Sequence, residues 1–168
     1  MSASDDLSLW HYALDRYARP GVEACCLTLQ DRHGWDICEL LWIAWLAEAG
    51  HQPTDKARRA LEDVRRWQRE MTWPLRERRR RLKAPAQRSP ALVPLRETLK
   101  QAEWLAEQEA LRQLASLPAE PAWPTKPTPA TLVAASAWLG PVDATSAPLL
   151  EALFAAWMAA DAEPEATC

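Results

Sequence analysis

An all-α fold, an irregular helical bundle around one central apolar helix, is predicted for this sequence of 168 residues. Three observations lead there. Glycine is scarce, with 4 residues against 10 tryptophans, while alanine and leucine are abundant and valine, isoleucine and threonine comparatively few. Straight-chain residues lose little rotamer freedom in a helix, so this balance favours helix over sheet. Apolar residues recur at steps of three and four, the period of a helix face. One segment, 37–49, is apolar nearly all round, as a helix enclosed by others must be.

Leu7, Trp10, Leu14 and Tyr17 mark one face of a first helix over 7–18, broken by Pro20-Gly21. Val22, Cys25, Cys26 and Leu29 form the apolar face of a second, over 21–33. Gly34 suits the left-handed residue that ends it, and His33 suits the negative end of its dipole. Asp36, with Glu39 three residues on, gives the central helix a start like a capping box, and Gly50 closes it. Thr54 is expected to cap a fourth helix over 55–72, with the stripe Ala57, Leu61, Val64, Trp67 or Gln68, and Met71. Pro74 kinks or restarts the chain into 75–83. Ser89-Pro90 opens the next helix by a cap-then-proline signal, and Leu95, Leu99, Ala102, Leu105, Ala106 and Leu114 make it amphipathic to 117. Five prolines fall within 118–129, the composition of an extended linker. Two short helices follow, over 130–139 and 147–160, separated by Gly140-Pro141. The expected organisation is therefore a bundle domain over 1–117, a proline-rich linker over 118–129, a helical pair over 130–161 packed on the bundle, and a loose tail from 162 to 168.

Net charge is a mild −3, but its distribution is uneven. Residues 1–54 carry 8 acidic and 3 basic groups, residues 55–83 carry 5 and 12, and residues 84–168 carry 10 and 5. A basic centre lies between acidic flanks, which points first to pairing within the molecule. The polar, acidic start of the chain has no look of a secretory signal, so Cys25, Cys26, Cys38 and Cys168 are expected to be reduced thiols in a cytoplasmic protein. No apolar run approaches the roughly 18 residues of a membrane helix, so no membrane partner is expected.

Trp10, Tyr17, Pro20-Gly21-Val22, the run Leu27 to Asp31, Gly34, Asp36, Leu40-Leu41 and Trp45-Leu46, together with Trp67, Pro74-Leu75-Arg76, Arg79 and Arg80, carry a resemblance. Over about residues 7–115 the chain resembles an uncharacterised family of proteobacterial hypothetical proteins, a domain of unknown function. The resemblance implies no activity, cofactor or catalytic residue. Cys38 stands where the family pattern has a small polar residue, which argues against a shared thiol chemistry there.

Two places gather groups that chemistry or binding could use. The turn 30–36 brings together Gln30, Asp31, His33 and Asp36, with Tyr17 as a further candidate. Such groups serve acid–base chemistry or ligand binding when they converge in a cleft. Structural roles compete, since Asp36 caps one helix and Gly34 ends another. The second place is the basic run Arg76, Arg78, Arg79, Arg80, Arg81 and Lys83, near Trp67 and Trp73. It suits an acidic protein partner better than nucleic acid, because a sequence pI near 5.7 falls well below that of a dedicated nucleic-acid binder. His11, His33 and His51 lie in different segments and no CxxC pair occurs, so no metal and no cofactor is expected. Cys25 and Cys26 fall on an apolar helix face and read as inert. Trp42 and Trp45 read as core, and Trp123 and Trp157 as core or contact residues. The function predicted is a non-enzymatic adaptor using the basic segment, with an enzyme or small-ligand binder at the 30–36 turn as the alternative and nucleic-acid association behind both.

Overall fold

Helix α3 (Ile37–Glu48) is the element the others are built on. Leu40, Leu41, Trp42 and Ala44 are wholly buried on it, which fits its lack of a polar face. The computed structural model describes residues 3–122 and 126–159. Around α3 lie α1 (Ala3–Tyr17), α2 (Val22–His33), α4 (Ala57–Trp67), α5 (Trp73–Arg81), α6 (Lys83–Arg88) and α7 (Val93–Ala115). Two further helices, α8 (Pro129–Ser136) and α9 (Ala147–Met158), lay Leu132, Leu150, Leu153, Phe154 and Trp157 into the same core. The fold is all-α. No described helix is long and apolar enough to cross a membrane.

The turn before α3 follows from its residues. Gly34 takes φ 71°, a left-handed conformation that costs glycine nothing, and so ends α2. Asp36 then accepts hydrogen bonds from the backbone N–H groups of Cys38 (2.8 Å) and Glu39 (3.3 Å), satisfying two orphan donors of α3. Glu39 does not complete a capping box. Its buried carboxylate accepts a two-armed contact from Arg65 of α4, with Nε and Nη2 each at 2.8 Å.

Several sequence expectations are corrected. Thr54 does not cap α4; its N–H donates to the Pro118 carbonyl (3.1 Å) instead. That contact continues a short antiparallel ladder of β1 (His51–Pro53) with β2 (Ala119–Pro121), so part of the proline-rich stretch is tied to the bundle. Ser89 makes no side-chain cap; a 3-10 turn, Pro90–Leu92, precedes α7. On α1 the core-facing residues are Leu9 and Ala13, while Leu14 and Tyr17 are exposed along a cleft. On α7 the expected stripe is displaced. Leu95 and Leu105 are exposed, and the buried series is Glu103, Ala106, Ala110, Leu111 and Leu114. Trp42 and Trp157 are fully buried, Trp45 is half-buried, and Trp123 lies outside the described residues, as does the stretch 162–168.

Candidate functional site

Proline 74 shapes the site. A proline lacks its N–H, and its ring strikes the carbonyl four residues back in a continuous α-helix. Here the chain widens into a π turn over Gln68–Thr72, where the Trp73 N–H reaches the Gln68 carbonyl five residues back, and α5 resumes with Pro74 in its first turn. The extra residue turns the register. Met71, expected on the apolar stripe, is exposed, and Gln68 and Thr72 are buried in its stead.

The register aims one face of α5 at α7. Arg76 donates through Nε to Glu103 (2.8 Å) and through Nη2 to Glu107. Arg79 donates to both oxygens of Glu103. Burial works against the charge on Arg76, but Glu107 and Glu103 outweigh it and raise its pKa. Burial likewise pushes Glu103 up, and the hydrogen bonds from Arg79 and Arg76 pull it below its ordinary value. Glu107 is raised, because burial exceeds what Arg76 returns. Arg80 reaches the other way, to Asp31 of α2 (3.1 Å). Arg81 pairs with Glu77 on its own helix, and Arg78 and Lys83 are exposed. The basic run is thus not one surface: Arg76 and Arg79 are internal, Arg80 bridges, and Arg78, Arg81 and Lys83 face out.

Between α1, α2, α5 and α7 runs a cleft. Its inner end is a cavity of about 320 Å³ reaching Asp36, Cys38, Gln68 and Glu107, with Tyr17, Trp35 and Trp73 among its walls. Its outer end is a groove of about 410 Å³ floored by Leu14, Leu27 and Trp104, each a little over 40% exposed. Trp10 and Trp104 meet edge to face across it, with ring centroids 4.8 Å apart. Tyr17, Gln30, Arg76 and Arg80 line both parts. Lys83, Arg96 and Lys100 rim the outer end.

The cleft gathers residues from both sequence candidates. Tyr17, Gln30 and Asp36 line it together with Arg76, Arg79 and Arg80. Asp31 sits at the rim and is held by Arg80. His33 is not brought in; it faces a separate hollow with Glu39, Arg65 and Arg69. Sequence reasoning missed Gln68, Trp104, Glu103 and Glu107. The acidic pair at 103 and 107, one helical turn apart and on a helix predicted to lie near the arginines, was the available signal. A larger concavity of about 870 Å³ lies beside the β ladder; Asp55, Lys56 and Glu120 on its walls are exposed, and the half-buried His51 is in contact with the Ala49 carbonyl.

Burial raises the Cys26 thiol to about 12 and the Cys38 thiol well above its ordinary value, so neither is an activated nucleophile. Cys25, half-buried, donates to the Leu149 carbonyl. No group of three or more His, Cys, Asp or Glu suited to a metal ion occurs among the described residues.

No curated protein and no solved structure matches the chain. Residues 8–114 match the model of a family described as Protein of unknown function (DUF2390), and the chain belongs to that family.

Proposed function

We propose that this protein is a non-enzymatic interaction protein that receives an acidic amphipathic helix of a partner protein in its outer groove. One observation carries the reading: an exposed apolar floor, Leu14, Leu27 and Trp104, lies beneath a rim on which Lys83, Lys100 and Arg96, unpaired or weakly paired among the described residues, outnumber the exposed Glu23. Helix-in-groove recognition needs an apolar trough for the apolar face and flanking charges for register. Lys83 and Lys100 are exposed at the rim. Arg96 has a buried Nε with no hydrogen-bond partner among the described residues, and its ion pair with Glu97 is long at 3.5 Å. A carboxylate from a bound helix would give the exposed part of the Arg96 guanidinium a closer partner than Glu97. The same geometry speaks against nucleic acid as the partner, since Arg76 and Arg79 are neutralised internally. Free thiols at Cys25, Cys26 and Cys38 fit a reducing compartment such as a bacterial cytoplasm.

The test is capture from lysate with and without nuclease treatment, with a photo-crosslinker at position 104, comparing wild type, a Lys83→Glu/Lys100→Glu variant and an Arg78→Glu/Arg81→Glu variant. The expected result is a crosslink to an acidic amphipathic helix, lost in the first variant and kept in the second. Equal loss in both variants, or loss on nuclease treatment, overturns the reading.

A further inference from the structure

We infer that the inner cavity is a separate binding site for a small organic ammonium ion. Its most deeply buried unpartnered group is an acceptor. Gln68 is only 2% exposed and lines the cavity, yet its Oε1 has no partner among the described residues. Its amide nitrogen is already committed, donating to Asp36 Oδ2 at 2.9 Å. An unpaired buried acceptor costs roughly 1–3 kcal/mol unless a ligand or water supplies the donor. Two carboxylates share the space. Asp36 accepts from Cys38, Glu39 and Gln68 but has no ion pair with a cationic side chain among the described residues. Glu107 is matched by Arg76, which Glu103 also claims.

The charge balance points the same way. Arg76 and Arg80 line the cavity and are already engaged, Arg76 by Glu103 outside it and Glu107 within it and Arg80 by Asp31 outside it, so Asp36 is the carboxylate left without a matching cation among the described residues. Burial raises both Asp36 and Glu107 above their ordinary values, and the charge on Asp36 raises Glu107 further. An ammonium group between them would relieve that cost. Tyr17, Trp35 and Trp73 supply aromatic faces, the surface that organic cations prefer to bulk apolar walls. A volume of about 320 Å³ suits a small molecule. An anion would meet Asp36, Glu107 and the Gln68 amide oxygen beside guanidinium groups already engaged by carboxylates, and a neutral hydrocarbon would leave the acceptor of Gln68 unpaired.

The inference does not rest on the helix-docking reading, although Tyr17, Gln30, Arg76, Arg80 and Glu107 line both parts of the cleft. Benzylamine, 2-phenylethylamine and cyclohexylamine are titrated into the full chain by calorimetry, with benzyl alcohol as the neutral isostere of the first. Trp35 and Trp73 indole resonances are followed in parallel. The expected result is saturable binding of at least one amine, with benzyl alcohol at least about tenfold weaker than benzylamine and shifts centred on Trp35 and Trp73. Glu107→Gln is expected to weaken the amine about tenfold, whereas Lys83→Glu/Lys100→Glu leaves it unchanged. Absence of saturable binding by all three amines, equal binding of benzyl alcohol and benzylamine, or shifts confined to Trp10 and Trp104 overturns the inference. The comparison of amine with alcohol on the wild-type chain decides the matter even where the Glu107 variant does not fold.

Discussion

Helix α7 is held in two ways along its length. Its C-terminal half packs Ala110, Leu111 and Leu114 into the core, each 2% exposed or less. Its middle turns meet α5 through Glu103 and Glu107, which receive Arg76 and Arg79. The apolar contacts gain from area removed from water, and Ala110, Leu111 and Leu114 carry no titrating group. The charged stretch sets Coulomb attraction and hydrogen bonds against the cost of taking ions out of water. It therefore fixes orientation more than it adds stability, and it leaves a polar cleft beside it that an apolar seam would have closed.

The contrast can be broken from either side. Leu114→Ala should cost about 3 kcal/mol, the cost of a buried leucine truncation, and the loss in urea denaturation should be the same at pH 7 and pH 4. Glu103→Gln should cost about 2 kcal/mol at pH 7, less than a fully buried pair because Arg76 keeps Glu107. That second loss should shrink on acidification. The folded-state pKa of Glu103 is depressed, so its contribution is complete above the unfolded value near 4.3 and disappears as pH falls through the folded one. A pH-independent loss would mean that Glu103 acts by packing alone.

Glu107 should show the opposite sign. Its folded-state pKa is raised, so its ionised form is disfavoured in the native protein, and wild type should gain stability as pH falls from that raised value towards the unfolded one. Glu107→Gln should reduce this gain to the share carried by the other raised carboxylates, Asp36 and Glu39, which denaturation midpoints between pH 4 and pH 7 would reveal. The smallest effect is expected outside the seam. Arg81→Ala removes only an exposed pair with Glu77 and should change stability by no more than about 0.5 kcal/mol.

The same contrast explains what the sequence disclosed. The fold class, the central place of α3, the end of α2 at Gly34 and the cap at Asp36 were legible, because each follows from periodicity or from one residue's backbone chemistry. The charged seam was not. Periodicity scores Glu103 as a surface position, and only the arginines opposite make its burial tolerable. Leu95 and Leu105 read as core for the complementary reason: a pattern of apolar residues shows that a face exists but not whether anything covers it. Met71 failed through counting, since the stripe on α4 was continued at α-helical spacing through a turn that holds one residue more. In the candidate site, Tyr17, Gln30 and Asp36 were legible and their convergence with Arg76 and Arg80 was not, since helices distant in sequence bring them together.

That surplus residue has a consequence for the length of the chain. Each residue of an α-helix advances about 100° around its axis. Deleting one position from Gln68–Thr72 would return the turn to α-helical count. The inward series Ala57, Leu61, Val64, Gln68, Thr72, Arg76 and Arg79 would then fall at alternating steps of four and three, so both arginines would still face Glu103. A relative lacking the residue would build the same seam from the equivalent arginines, whereas an alignment without a gap at the turn would pair inward-facing guanidinium groups with outward-facing ones. The π turn is thus the place where this helix takes up a change of length without moving its charged face.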